Sequence, residues 1–253
     1  MTKTEKEALQ EQPLVQHLIE LRSRLLRSFL AIFIVFLGLF SFANNIYEFV
    51  AQPLQVFLPE DSHMIATDVA SPFLTPFKLT LFAAVFICIP FIFYQIWGFI
   101  APALYSKEKK LALPLLASSI ILFYSGMAFA YYIVFPLIFS FFTSVGPETV
   151  AVMTDISKYQ AFVIKLFFAF GAAFEIPVAT LLLISAGIVT PAQLAQKRPY
   201  VVVACFVIGM LLTPPDIISQ ALLALPMWFL FEIGIFFGRF FTPVKDDKQP
   251  EEL

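Results

Sequence analysis

Long uninterrupted apolar runs constrain this chain more than any other feature. A helix crosses the hydrocarbon core of a bilayer with about 20 mostly apolar residues. Four runs reach that length, at 25–43, 76–104, 111–142 and 159–188. Two shorter ones follow at 200–212 and 217–238, the second interrupted by Glu232 near its end. Backbone N–H and C=O groups find no water in lipid, so each run must satisfy its own hydrogen bonds as a helix. Hydrophobic residues make up 60% of the chain and charged residues 13%. That leaves too little polar surface for a soluble domain, which is nearer half apolar and a quarter charged. The expected fold class is all-α, a polytopic integral membrane protein with six transmembrane helices.

Between the last two runs lies Thr213-Pro214-Pro215-Asp216. Consecutive prolines cannot continue a helix and Asp216 is suited to cap the next one, so the chain turns back here. The final two spans read as short enough to require tilt or local thinning of the bilayer. An even number of spans puts both ends on one side, and the basic residues indicate which. Lys3, Lys6, Arg22, Arg24 and Arg27 precede the first span; Lys107, Lys109 and Lys110 follow the second. Lys197 and Arg198 follow the fourth, and Arg239, Lys245 and Lys248 the sixth. Only Lys78, Lys158 and Lys165 fall towards the other side, against Glu48, Glu60, Asp61, Asp68, Glu148 and Asp155. The positive-inside bias then places both termini in the cytosol.

The first span carries basic residues before it and no small-x-small cleavage site after it, as expected of a signal anchor that is retained. The external stretch 44–75 is the longest loop, with an amphipathic segment at 45–58 fit for a short surface helix. Ser71-Pro72 and Thr75-Pro76 each set a capping hydroxyl before a proline at a plausible helix start. Residues 1–12 and 242–253 read as disordered cytosolic tails, leaving a membrane domain at 13–241. Pro90, Pro102, Pro114, Pro136, Pro177 and Pro226 fall within or near spans, and each removes a backbone donor. Kinks are expected there. They either help the helices pack or bend several of them into a concave wall.

Several function classes are excluded by absence. A net charge of −2 with short basic clusters gives no surface for nucleic acid. Cys88 and Cys205 lie inside apolar runs and read as small fillers. Neither His17 nor His63 lies in a span, which removes a histidine metal site within the membrane. No phosphate-binding glycine loop is present, so nucleotide-driven pumping is not expected, nor any cofactor. An intramembrane hydrolase would need a nucleophile and base within the spans, and no Gly-x-Ser-x-Gly elbow or span histidine supplies them.

Three sets of residues remain as candidates for chemistry. Glu175 falls near the middle of the fourth span, with Lys165 about 15 Å away along the helix axis, too far to pair. A carboxylate in lipid is costly and is usually retained for a function. Glu175 is either a protonated side chain bonded to a neighbour, a contact point for a membrane partner, or a proton site. Glu20 and Glu108 flank the cytosolic surface, as solvated charges balanced by nearby Lys and Arg or as an acidic clamp for guanidinium groups. Met210, Thr213 and Gln220 surround the last hairpin, where Gln220 is satisfied within the chain or by a partner helix.

An ordered set of motifs carries a family resemblance from about residue 13 to 241. The segments are His17-Leu18-Ile19-Glu20-Leu21-Arg22, the run 66–73 (ATDVASPF), the run 99–105 (FIAPALY) followed by Glu108, Phe174-Glu175-Ile176-Pro177, Lys197-Arg198-Pro199-Tyr200, and Leu212-Thr213-Pro214-Pro215-Asp216. Together they resemble the TatC family of the twin-arginine protein translocase. Each motif alone is weak; their order and spacing are specific. The resemblance implies a receptor for folded proteins whose signal peptides carry consecutive arginines, driven by the proton-motive force across the bacterial inner membrane.

The resemblance further implies a cytosolic signal-peptide site at Phe99 and Glu108 with Glu20 nearby, and an intramembrane polar site at Glu175 facing the concave side. Met210, Thr213 and Gln220 correspond to positions that contact TatB-like and TatA-like single-span partners, with self-association in a larger complex. Pro53 and Asp216 correspond to sensitive external positions. The loop around Glu108, Ser106-Lys107-Glu108-Lys109-Lys110, is richer in lysine than the family pattern but keeps the carboxylate. From the residues alone, a proton-coupled small-solute transporter using Glu175 is the main alternative, although the inverted repeats common in such proteins are not evident.

Overall fold

The computed structural model describes residues 3–55, 64–104, 112–145, 153–212 and 217–240. These are almost entirely helical: α1 (Lys3–Leu39), α2 (Ala43–Gln55), α3 (Ser71–Ile87), α4 (Ile89–Leu104), α5 (Ala112–Phe129), α6 (Phe135–Val145), α7 (Ile156–Phe174), α8 (Ile176–Ser185), α9 (Pro191–Gln196), α10 (Arg198–Leu212) and α11 (Ile217–Gly238). No strand forms among the described residues; one isolated parallel bridge joins Ile65 to Asp155. Among the described residues, four continuous helical stretches are long and apolar enough to cross a bilayer: Val15–Gln55, Leu113–Phe142, Ile156–Ser185 and Gln220–Gly238. A pair of helices, Ser71–Ile87 and Ile89–Phe99, is bent by 51° at its break and makes a fifth crossing if its two halves form one span. The shorter apolar helix Arg198–Leu212 completes a set compatible with six spans.

Two sequence expectations change. Only α10 is short: its 15 residues reach about 22 Å, below the ~30 Å hydrocarbon core. The 22 residues of α11 reach about 33 Å, so the last span needs no thinning. At the other end, α1 is helical from Lys3 through a stretch whose composition reads as a disordered tail. Its Lys, Glu, Ala, Leu and Gln residues are all good helix formers, which explains the continuation.

Proline accounts for the main interruptions. The break at Cys88 lies two residues before Pro90, and that at Glu175 two residues before Pro177. In each case the ring offers no N–H to the carbonyl four residues back and crowds it, so the ladder parts on the N-terminal side. Before Pro136 the chain solves the same problem differently, with a π-helical turn at Ala130–Val134 that joins α5 to α6. Pro114 sits in the first turn of α5, where no donor is missed, and α11 runs unbroken through Pro226. Kinks therefore form at fewer prolines than the sequence leads one to expect.

The chain divides into two compact units, residues 1–121 with 135–164 and residues 122–134 with 165–253. In the first, α1 lies along α3 and α4, and α2 packs on α3 and α6. Phe36 of α1 meets Phe77 of α3 edge to face at 5.2 Å. Tyr159, at the start of α7, donates its hydroxyl to the carbonyl of Val50 in α2 (2.7 Å). Gln160 donates to the carbonyl of Thr75 in α3 (2.9 Å). Asp155 caps α7: Oδ1 accepts from the N–H groups of Ser157 (2.9 Å) and Lys158 (3.0 Å). Its Oδ2 accepts from the Thr67 N–H (3.0 Å) and hydroxyl (2.6 Å), tying the loop before α3 to the start of α7.

In the second unit α11 is central, packed on α8, α9 and α10. Phe129 lies 5.5 Å from Phe170 and 5.7 Å from Phe174, ring centre to ring centre. Gly126 lets α5 approach α7 so closely that a Cβ at this position would overlap the carbonyl oxygen of Phe170. Outward-facing apolar side chains are abundant in both units, as in Phe29 and Ile34 of α1 and Phe229 and Phe236 of α11. In lipid such surface needs no covering by protein.

Candidate functional site

Glu20 and Phe99, two of the expected site residues, come together where α1 meets α4. The link between them is Arg24, one helical turn beyond Glu20 on the same face. Its Nε and Nη2 both donate to Glu20 Oε1, at 2.9 and 2.7 Å. Nη2 also donates to the carbonyl of Gly98 (3.1 Å), while Nη1 makes two longer contacts, to Gln95 Oε1 (3.3 Å) and the Gln95 carbonyl (3.4 Å). The approach depends on a missing side chain, because a Cβ at Gly98 would collide with Arg24 Nη1. Beside this cluster His17 stacks on Phe99, ring centres 4.1 Å apart and planes 16° from parallel. Glu20 keeps 41% of its side chain exposed and Arg24 23%, so the pair is reachable from outside.

Below the cluster an apolar groove of about 590 Å³ runs between α1 and α4, lined by Leu21, Leu25, Phe29, Ile32, Ile92 and Ile96 among others. Arg24, Gln95 and Phe99 also border it, so a charged pair, an aromatic face and an apolar trough adjoin. Chemically the arrangement holds a planar guanidinium by a carboxylate and backbone carbonyls, which only arginine matches with so many donors.

The remaining expected residues lie elsewhere. Glu175 occupies the interruption between α7 and α8, half-buried, where its N–H donates to the Ala172 carbonyl (3.1 Å). It precedes α8 as the residue next to Ile176-Pro177, so the proline that breaks the span also places the carboxylate at the break. Gln220 donates to the carbonyl of Phe206 (2.8 Å), which ties α11 to α10, and its side chain fits because Gly209 faces it. Met210 points outward, 51% exposed. Pro53 is buried within α2. Glu108, Thr213 and Asp216 lie outside the described residues.

Two arrangements escaped sequence reading. Arg198, the first residue of α10, donates to Glu232 Oε2 (2.6 Å), so the carboxylate that interrupts the last span has a basic partner 34 positions away. The signal was Glu232 itself, since a carboxylate in an apolar run calls for one. The other is Arg24: a Glu followed four residues later by an Arg is a recognisable helical pair.

Taken together, the apolar helices, the bent pair and the short α10 define a multi-pass helical membrane protein, with a carboxylate that grips guanidinium at one edge. Residues 16–226 match the family described as "Sec-independent protein translocase protein (TatC)". The chain is 63% identical over 229 residues to the Sec-independent protein translocase protein TatC of Azotobacter chroococcum mcd 1, covering 90% of each. It is 58% identical over 231 residues to that of Escherichia coli strain K12, covering 91% of this chain and 90% of the relative. A crystal structure titled "Twin Arginine Translocase Receptor- TatC" superposes with a TM-score of 0.80 at 41% identity, covering 90% of this chain and all of that one. The chain belongs to the TatC family. It is a membrane-embedded component of a protein translocase, not an enzyme. This sets aside the small-solute transporter.

Proposed function

We propose that this chain is the receptor subunit of a translocase that binds twin-arginine signal peptides and exports folded proteins across the bacterial inner membrane, driven by the proton-motive force. The observation that carries the reading is the carboxylate of Glu20, which holds a guanidinium against the Gly98 carbonyl at the edge of the groove that Phe99 also lines. A site of that chemistry accepts the arginine of a peptide as it accepts Arg24. Glu108 supplies the second carboxylate for the second arginine, and both face the cytosol together with the two termini in a six-span topology. The apolar stretch that follows the arginines meets the trough between α1 and α4, and Glu175 serves as an intramembrane polar site. Met210, Thr213 and Gln220 receive TatB-like and TatA-like single-span helices along α10 and α11, and copies of the chain associate in the working complex. Pro53 and Asp216 act from the external side.

Photocrosslinking tests this reading directly. A crosslinker at Phe99 should capture a twin-arginine signal peptide and ignore its twin-lysine counterpart. In the Glu108→Lys chain, which should still insert and fold, capture should be lost. Equal capture of both peptides, or undiminished capture by the Glu108→Lys chain, would count decisively against the clamp.

A further inference from the structure

The carboxylate proposed to receive a foreign arginine is already occupied by one from its own helix. Arg24 spends two donors on Glu20 Oε1, but its other contacts run to α4: the Gly98 carbonyl, the Gln95 carbonyl and Gln95 Oε1. Those partners remain if Glu20 turns away. Giving up Glu20 therefore costs Arg24 only part of its hydrogen bonding, and Glu20 is exposed enough to swing towards another cation.

We propose that Arg24 is a built-in competitor for the Glu20 site, a guanidinium held there by tether until an arginine of the incoming peptide replaces it. The inference rests on reading Glu20 as part of the signal-peptide site. A tethered ligand lowers the apparent affinity of every rival by the fraction of time the site stands open. That factor is the same for arginine and lysine, so the competitor does not alter their ratio. It raises the threshold instead. Lysine, a single point charge, gains less from the carboxylate than a forked guanidinium does, and is the first to fall below useful binding.

The obvious rival is that Arg24 merely orients Glu20, and the two roles differ in sign. Removing a competitor strengthens binding; removing a support weakens it. The test is peptide binding to the full-length chain in lipid nanodiscs, using a peptide with consecutive arginines ahead of an apolar stretch and its twin-lysine counterpart. For Arg24→Gln we expect both peptides to bind about two- to fivefold more tightly, the scale of a partly exposed ion pair. Arg24→Lys keeps the charge at the α1–α4 contact and should fall between the variant and the original chain. The gain should vanish when Glu20→Gln is added. Weaker or unchanged binding in both variants overturns the proposal, as does a gain that survives without Glu20. If the original chain shows no binding that depends on Glu20, the functional reading itself fails and takes the inference with it.

Discussion

Glu20, Asp155 and Glu232 are three carboxylates with three different environments, and each makes a separate claim. Asp155 accepts hydrogen bonds from the Thr67 hydroxyl, the N–H groups of Lys158 and Thr67, and that of Ser157, which together hold its carboxyl down from 3.8 to about 2. A lowered folded-state pKa means that the charged form favours the folded state. The contribution is therefore complete above the unfolded value near 3.8 and disappears as the pH falls towards 2. Thermal unfolding in detergent between pH 5 and about pH 2 should show this loss in the original chain and a flatter profile in Asp155→Asn; parallel profiles would refute it. Glu232 and Arg198 leave 25% and 44% of their side chains exposed, so solvent screens their attraction. A double-mutant cycle on the pair should give a coupling of at most about 1 kcal/mol. The residue scale is also where sequence reading reached least far. Glu20 and Phe99 stood out through motif resemblance, whereas Gln95 and Gly98 did not, because only the antiparallel contact of α1 and α4 brings them to Arg24. Asp155 read as one more external charge, since its partner Thr67 lies 88 positions away.

At the scale of elements, apolar length alone located the helices, because lipid leaves the backbone no other way to satisfy itself. The amphipathic segment after the first span likewise appears as α2. Breaks proved harder to place, since a proline's effect depends on whether the carbonyl it abandons lies inside a helix and on what surrounds the turn. Pro90 and Pro177 part their helices, Pro136 is preceded by a π-helical turn, and Pro226 interrupts nothing. Close helix packing was invisible for a different reason: a glycine in a span looks the same whether it faces a neighbour or lipid. The structure separates the two cases. A Cβ on Gly126 would meet the backbone of Phe170, which cannot rotate aside, whereas one on Gly38 in α1 meets nothing within 4 Å. Gly126→Ala should therefore destabilise the protein by about 1–3 kcal/mol through overpacking. Gly38→Ala should be neutral or stabilising by up to about 1 kcal/mol, from helix propensity alone. Unfolding in mixed micelles compares them, and equal effects would mean that Gly126 is not a packing site.

For the molecule as a whole, the proposed function turns on which side of the membrane receives Glu20. Charge asymmetry is the physical handle: with six spans, Arg22, Arg24, Arg27, Lys197, Arg198 and Arg239 are expected on one side, and Asp68 and Asp155, with Lys78, Lys158 and Lys165 as the basic minority, on the other. The prediction is best tested in a chain whose buried Cys88 and Cys205 have been replaced by alanine, so that a single introduced thiol reports its own location. Asp68, Met153 and Lys197 are all exposed, and each accepts a cysteine without disturbing a described hydrogen bond of its side chain. A membrane-impermeant maleimide applied to intact cells should modify Asp68→Cys and Met153→Cys. It should reach Lys197→Cys only after the membrane is permeabilised. Between Glu20 and Lys197 the chain crosses four times if α3 and α4 form one bent span, so the two residues share a side. Labelling of Lys197→Cys from outside would break that parity or invert the protein. Inversion would point Glu20 away from the compartment where signal peptides are made, and a lost crossing would mean that the bent pair of α3 and α4 enters and leaves by the same face. Repeating the labelling at Ser23, one turn from Glu20 on α1, distinguishes the two outcomes: inversion exposes both positions to the reagent, whereas a re-entrant pair exposes only one.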